Sequence, residues 1–156
     1  MSKKSFFLGL IIGVLVGGLI GYIEAGVGQT INLKTMAVVV NKSGEQTTLS
    51  ARYGSPKADK DGAKFVSVNL TLANTTTSEF TFRPDENIRL VDSIGREYET
   101  YSDSIGAVDD YLNYKDLSPS IDVSGSLIFE IPEDATSYYL LIAKEQSKEI
   151  YKVSLI

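Results

Sequence analysis

Alternation of apolar and polar residues dominates the second half of this 156-residue chain. A period of two places alternate side chains on one face of a β-strand, where they can enter a core. The pattern is clearest in two segments, and Pro132 ends the second of them. The positions sharing a face are Val66, Val68, Leu70 and Leu72, then Val123, Gly125, Leu127, Phe129 and Ile131. We expect Val68, Leu70, Phe129 and Ile131 to lie inside a core.

Shorter alternating segments, separated by turn-forming residues roughly every ten positions, predict further strands. About seven to nine short strands are typical of an antiparallel β-sandwich, which we expect over residues 31–156. Ala107–Asn113 is the one short segment with a helical pattern. The additional predicted strands are Ile31–Val40 and Gln46–Tyr53, paired across a turn at Asn41–Gly44, then Phe80–Phe82, Ile88–Leu90, Arg96–Tyr98, Tyr138–Ala143 and Ile150–Leu155.

The N-terminal part follows a different pattern, an uncharged apolar run over residues 6–23. As a helix this run would span roughly 27 Å, close to the thickness of a bilayer core. Lys3 and Lys4 precede it, and no basic residue follows until Lys34. This asymmetry predicts a single-pass transmembrane helix with residues 1–5 in the cytoplasm, residues 24–30 as a short linker and the sandwich outside the cell membrane.

A cleaved signal peptide is the alternative interpretation of the run, with Ala25 as the last residue before the cut. A retained anchor is favoured because signal-peptide apolar regions usually cover about 7–15 residues. Ile23-Glu24-Ala25 is also a poor match to a small-x-small cleavage site. Since the chain has no cysteine, we expect anchoring by the helix and not by a lipid-bearing cysteine.

Four glycines recur at intervals of four inside the apolar run. Residues four apart on a helix lie along nearly one face, and a glycine face lets a second membrane helix approach closely. Helix packing against a second copy or another protein is therefore expected, although small residues are common in membrane spans generally. The candidate packing residues are Gly9, Gly13, Gly17 and Gly21.

The charge and composition of the chain disfavour several classes of function. The chain carries 20 acidic and 15 basic residues, and its acidic outer part disfavours nucleic acid as a partner. Without histidine or cysteine, nucleophilic triads and zinc sites lose their usual residues. Carboxylate-only catalysis needs two acids with separated pKa values. Alternation places the nearest case, Glu130, outward, so we expect no enzyme, no cofactor and no metal site.

The predicted strands and turns include four segments in a fixed order: Gly62–Thr75, Ile88–Tyr98, Leu117–Pro119 and Gly125–Pro132. Their order and spacing resemble the telokin-like family of unknown function, which comprises immunoglobulin-like extracytoplasmic domains of bacteria and archaea. Pro119-Ser120 replaces the family's late Pro-Gly turn, and the lipid-bearing cysteine common in the family is missing. The resemblance implies an immunoglobulin-like sandwich outside the cytoplasm and no established activity.

A tyrosine-rich acidic stretch over Glu97–Asp116 is the candidate partner-binding segment. Tyrosines on loops of a rigid sandwich often serve recognition, because the ring buries much area at little entropic cost. The alternative is that these rings cover an edge of the sandwich and bond locally. The candidate residues are Tyr98, Tyr101, Tyr111 and Tyr114.

Three asparagines match the N-glycosylation pattern: Asn41, Asn69 and Asn74. Asn74 falls in a predicted turn, so we expect it to be the most accessible. Asp59-Lys60-Asp61-Gly62 is similar to the opening of a calcium loop, but residue 70 is Leu where the bidentate glutamate is required. A solvated turn is the better interpretation, as it is for Asp103, Asp109, Asp110 and Asp116.

The sequence therefore favours a membrane-anchored, non-enzymatic β-sandwich that binds a partner near the cell surface, as an accessory of an envelope assembly or an adhesion module. Two alternatives remain open. One is a pilin-like subunit of a surface filament, with packed glycine-rich helices, although Lys3-Lys4-Ser5 lacks the small residue of a pilin-type cleavage site. The other is a domain that binds a cation or a small ligand.

Overall fold

The protein is a β-sandwich in a computed structural model that describes residues 21–49, 61–101 and 108–155. Two sheets pack face to face, with strand orders β1-β11-β10-β6-β7 and β2-β3-β4-β9, and β5 and β8 form a small two-stranded ribbon beside them. The elements are β1 (Ile23–Ala25), β2 (Thr30–Asn32), β3 (Met36–Gln46), β4 (Ala63–Asn74), β5 (Phe80–Thr81), α1 (Pro84–Asn87), β6 (Ile88–Asp92), β7 (Glu97–Tyr98), β8 (Asp116–Leu117), β9 (Asp122–Pro132), β10 (Tyr138–Ala143) and β11 (Ile150–Ser154).

The main core lies between the two sheets and contains the alternating residues that the sequence predicted. The side chains of Val68, Leu70 and Phe129 are fully buried, and Ile131 is 1% exposed. Val66 of β4 lies directly opposite Phe129 of β9. The predicted register of both long strands is therefore confirmed.

The other faces of both sheets also carry buried apolar clusters, which a simple inside-outside alternation did not predict. Leu49, Phe65 and Ile128 form one on the four-stranded sheet, where the ring of Tyr101 packs against them. The other lies on the five-stranded sheet and consists of Val91, Leu141, Ala143 and Ile150, with Tyr22 and Tyr139 packed against it. Loops and terminal residues thus cover sheet faces that otherwise meet solvent.

The first predicted hairpin is wrong, because β3 continues through the expected turn at Asn41–Gly44. It pairs with β4 along its whole length and absorbs an irregularity between Val40 and Lys42. A β-bulge of this kind inserts one residue without ending the strand. The hairpin forms one element earlier, where β2 pairs with β3.

The predicted helix over Ala107–Asn113 is also wrong for its described residues, since 108–113 form turns and a single bridge from Tyr111 to Ser126. Backbone bonds to β9 take the place of helical ones: Leu112 N donates to Ser126 O at 3.1 Å and Ser126 N donates to Asp110 O at 2.7 Å. Gly125 makes this approach possible, because a Cβ there would lie 2.2 Å from Asp110 O.

The turn at Pro119-Ser120 keeps a left-handed backbone conformation. Glycine usually adopts this conformation, and the telokin-like family has Pro-Gly at this turn. Ser120 has φ of 60°, and Ile121 N donates to Ser118 O at 3.3 Å. The departure from Pro-Gly thus leaves a closed turn, at the steric cost that a side chain carries in this region.

The N-terminal boundary of the sandwich differs from the predicted one. Ile23, the last residue of the predicted membrane helix, lies in β1 together with Glu24 and Ala25 of the predicted linker. β1 pairs in parallel with β11, Ile23 lying opposite Tyr151 and Ala25 opposite Val153. Residues 6–20 of the predicted helix lie outside the described residues. In the described part of the chain, no helix has the length and apolar character needed to cross a membrane.

Candidate functional site

The described parts of the tyrosine-rich stretch, residues 97–101 and 108–116, begin at β7, contact the open edge of β9 and end at the ribbon of β5 and β8. The structure places its four candidate tyrosines in different environments. Tyr98, Tyr101 and Tyr111 are partly buried, whereas Tyr114 is 51% exposed. Residues 102–107, Asp103 included, lie outside the described residues.

Tyr98 belongs to a polar cluster that closes the turn between β6 and β7. Its hydroxyl donates to Asp92 Oδ2 at 3.0 Å. Asp92, 1% exposed, also accepts the backbone N–H groups of Ile94 at 3.1 Å and Arg96 at 2.9 Å. Burial, followed by the bond to Asp92, raises the pKa of Tyr98 to about 12. This tyrosine is therefore a structural member of the turn.

The buried carboxylate of Asp92 predicts a specific pH dependence of stability. Burial by itself would raise the pKa of Asp92, but the hydrogen bonds from Arg96, Tyr98 and Ile94 outweigh it and lower the pKa below the ordinary value. A lowered folded-state pKa contributes stability that is present above the unfolded value, about 3.9, and is lost as pH falls through the folded value.

We expect Asp92→Asn to lower the free energy of unfolding at neutral pH, because the charged bond from Arg96 is lost. The difference from wild type should shrink below about pH 3.9, which denaturant titrations at several pH values measure. Asp134→Asn is the control, since Asp134 also contacts Arg96 but is 72% exposed. If the free energies of unfolding of wild type and Asp92→Asn differed by the same amount at neutral and acidic pH, the stabilising role of the Asp92 carboxylate would be contradicted.

Tyr101 and Tyr111 brace the segment against the four-stranded sheet. The ring of Tyr101 packs on Phe65 with centroids 5.2 Å apart, and its backbone N donates to Ile128 O at 2.7 Å. The hydroxyl of Tyr111 donates to Tyr101 O at 3.3 Å. These two rings cover the sheet edge, the alternative that the sequence left open.

Tyr114 differs from the other three in exposure and in backbone geometry. Its φ is 60°, a left-handed conformation that is a genuine outlier for a bulky side chain. Two backbone bonds hold it there: Tyr114 N donates to Phe82 O at 2.9 Å and Phe82 N donates to Lys115 O at 2.8 Å. Tyr114 and Lys115 thus both lie opposite Phe82, just beyond Thr81 and Asp116, the last regular pair of β5 and β8.

Arg83 supports the exposed ring, with its guanidinium carbon 5.8 Å from the ring centroid of Tyr114. Beside this pair, Thr81 donates to the carboxylate of Asp116 at 2.6 Å. The neighbouring Asn113 donates to Thr100 Oγ1 at 3.0 Å, while its buried Oδ1 has no partner among the described residues. We call Arg83, Asn113 and Tyr114 the Tyr114 corner. It offers an aromatic face and a cation.

The three glycosylation candidates also differ in environment. Asn41 is exposed at the bulge of β3, and its Nδ2 donates to Asn69 Oδ1 and to Thr71 Oγ1, both at 2.9 Å. Asn69 is partly buried. Asn74 is only 3% exposed, so the expectation that it is the most accessible is wrong.

Asn74 instead joins three chain segments at one end of the sandwich. Its Nδ2 donates to Ser78 O at 2.9 Å and to Leu117 O at 2.8 Å. Its Oδ1 accepts from Thr76 N at 2.8 Å and from Thr76 Oγ1 at 2.7 Å. Every hydrogen-bonding group of the amide is therefore used. The sequence signal was the Asn-Thr that ends β4, which is typical of a turn that an asparagine side chain closes.

The acidic candidates do not converge within the described residues. Asp110 accepts from Ser126 Oγ at 2.8 Å and Asp116 accepts from Thr81, while Asp59, Lys60 and Asp103 lie outside the described ranges. In residues 21–49, 61–101 and 108–155, no group of three or more possible metal ligands occurs. Of the glycine ladder, Gly21 is described and exposed; Gly9, Gly13 and Gly17 lie outside.

The described residues form a β-sandwich, and the sequence comparison matches this domain to a family of unknown function. Residues 25–150 match the family described as domain of unknown function DUF4352. The chain belongs to this family. It is also 27% identical over 115 residues to the uncharacterized protein YxkC of Bacillus subtilis (strain 168), covering 70% of this chain and 63% of that protein.

Solved structures share the fold at low sequence identity. An uncharacterized β-sandwich protein from Clostridium difficile 630 matches with a TM-score of 0.63 and 14% identity, over 87% of this chain and 95% of its own. The secreted protein MPT63 from Mycobacterium tuberculosis matches at 0.54 and 10%, over 86% and 97%. A candidate lipoprotein from Bacillus subtilis matches at 0.52 and 15%, over 81% of this chain and 38% of its own.

Proposed function

We propose that the protein is a membrane-anchored, non-enzymatic domain with an immunoglobulin-like sandwich outside the cytoplasm, and that it binds a protein partner through the Tyr114 corner. The half-exposed ring of Tyr114, held in a left-handed backbone conformation, is the observation that carries the proposal. Strained backbone persists where surrounding bonds enforce it and is frequent at binding sites. Exposed aromatic and arginine side chains are the residues most often found at interface hot spots.

The location rests on the charge pattern around residues 6–23 and on the fold. A secreted protein and a candidate lipoprotein occur among the sandwiches with this fold, which agrees with a position outside the cytoplasm. Retention of the anchor also agrees with the geometry of β1. A cut after Ala25 would remove this whole strand and its pairing with β11.

Anchoring is tested with the full chain. We expect it to fractionate with membranes and to resist extraction by alkaline carbonate. Leu15→Arg, at the centre of the apolar run, should release it, because an arginine at a helix centre costs about 2.5–3.5 kcal/mol on insertion scales. Leu15→Ile is the matched control. Recovery of a soluble species that begins near Gly26 would show that the run is a cleaved signal peptide.

The glycine ladder is part of the same proposal, as the face through which the anchor packs on a second helix. In the full chain, Gly13→Leu combined with Gly17→Leu should preserve insertion, since leucine is favourable in lipid, and should reduce chemical crosslinking between copies. Crosslinking that is unchanged in the double variant would remove this role.

Partner binding is tested by placing a photo-crosslinking side chain at position 114 of the membrane-bound full chain. We expect a discrete adduct whose yield falls with Arg83→Ala, because the guanidinium no longer supports the aromatic side chain. Position 94 is the control, since Ile94 is 74% exposed in the turn between β6 and β7. Tyr114→Ala should change the free energy of unfolding by less than about 0.5 kcal/mol. The same adducts from both positions would contradict a specific site.

A further inference from the structure

β1 fixes the point at which the chain enters the sandwich. The strand runs parallel to β11, and its first residue lies opposite Tyr151, near the start of β11. The loop 144–149 immediately precedes β11. β1 therefore begins at the end of the sandwich that carries this loop, and the side chain of Tyr22 extends over the five-stranded sheet to Tyr139, which pairs with Ser154 at the end of β11.

Contacts between loops define the two ends. At the proximal end, loop 33–35 meets loop 144–149, where Thr35 Oγ1 donates to Glu145 Oε1 at 3.0 Å. Turns 75–79 and 118–121 lie at the same end, since Thr75 N donates to Thr35 O at 3.1 Å and Asn74 pairs with Pro119. At the distal end, Ser93 N donates to Ser137 O at 3.1 Å. β4 connects the two ends and has 12 residues, a length of about 36 Å at the usual rise per residue.

Very few residues connect the apolar run to the sandwich. Tyr22 packs on Tyr139, with ring centroids 6.3 Å apart, and adjoins the buried cluster of Val91 and Leu141. Ile23 already belongs to β1. Gly21 is thus the one described residue that precedes the side chains packed on the sheet. A tether this short leaves the sandwich little freedom to tumble about its anchor.

We propose that the proximal end of the sandwich faces the lipid headgroups of the membrane and that the distal end points outward. This orientation rests on the proposed membrane anchorage and adds to it the surface that meets the lipid. The proximal loops carry exposed side chains of both charges, Lys34 and Lys148 together with Glu79 and Glu149. The two lysines can approach headgroup phosphates. The side chain of Ile121, 59% exposed, lies on the same end.

The absence of cysteine from the chain allows a direct test with single-cysteine variants. Thr77→Cys reports on the proximal end and Thr136→Cys on the distal end; both threonines are exposed turn residues. Each full-length variant, labelled with a fluorophore, is reconstituted into phosphatidylcholine vesicles containing a minority of phosphatidylglycerol. A quencher attached to the lipid headgroup reports proximity. We expect quenching at position 77 to exceed quenching at position 136 several-fold.

A second experiment inserts a flexible linker between the apolar run and the sandwich and tests whether the short connection fixes the orientation. Ten glycine and serine residues inserted between Gly21 and Tyr22 have a root-mean-square length of about 17 Å and should free the sandwich to reorient. The quenching difference should then shrink markedly while the protein stays in the vesicles. Equal or stronger quenching at position 136 in the bound, uninserted chain would overturn the orientation and leave anchoring intact. Failure of the uninserted chain to enter vesicles or membranes would instead refute the anchorage.

Discussion

Phe129→Ala is expected to destabilise the sandwich by about 3–5 kcal/mol, the usual cost of removing a fully buried aromatic ring. The ring is completely buried between the two sheets, and Val66 lies opposite it on β4. Domains of this size have free energies of unfolding of about 5–15 kcal/mol. The substitution should therefore remove a large fraction of the stability. Chemical denaturation monitored by circular dichroism measures the effect.

Ile121→Ala is the matched control for Phe129→Ala, because this exposed side chain should contribute less than about 0.5 kcal/mol. Ile128→Ala is informative as well. Ile128 is 1% exposed but belongs to the cluster on the opposite face of the sheet, and its loss should cost about 2–5 kcal/mol. An unchanged melting temperature in the Phe129→Ala variant would contradict the burial of this strand between the sheets.

Asn74→Ala is expected to cost about 2–4 kcal/mol, because it leaves buried backbone groups without partners. The carbonyls of Ser78 and Leu117 would lose their donor, and Thr76 N would lose its acceptor. Since Asn74 joins the end of β4 to the segments that carry β5 and β8, this end of the sandwich should also exchange amide hydrogens faster. Denaturation and hydrogen exchange together measure both effects.

Two further variants separate hydrogen bonding from shape at this position. Asn74→Asp keeps the shape but replaces the donor with a second oxygen facing two carbonyls, so the loss should increase as pH rises and the carboxyl ionises. Asn69→Ala removes an asparagine that is partly exposed and should cost less than about 1 kcal/mol. Equal losses of unfolding free energy in Asn69→Ala and Asn74→Ala would show that the hydrogen bonds of Asn74 do not hold this end of the sandwich together.

The Tyr114 corner illustrates how far the candidate site could be predicted. The sequence identified Glu97–Asp116 and its tyrosines, because loop composition is readable without a structure. It could not rank the four rings, since their exposure depends on distant partners. Tyr98 is fixed by Asp92, and Tyr101 by Phe65 of β4. Arg83, which supports Tyr114, was not among the candidate residues predicted from the sequence.

The sequence by itself determined β4 and β9 and the residues of these two strands that fill the main core. An alternating pattern such as that of β4 specifies one register, because a slip of one residue would move every apolar side chain to the wrong face. Tyr138–Ala143 was predicted with the bounds that β10 has. The local turn residues were likewise sufficient to end β4 and β9.

Only the tertiary structure decided the features that depend on pairing between distant segments. The continuation of β3 past Asn41 follows from its bonds to β4, and these outweigh the local preference for a turn. β1 is a strand because β11 lies beside it, although Ile23 closes an apolar run. Asn74 has the sequence of a solvated turn, yet it is buried because the chain returns to it more than forty residues later, at Leu117. Local residue patterns carry no information about such returning partners, and the free energy of these contacts decided each case.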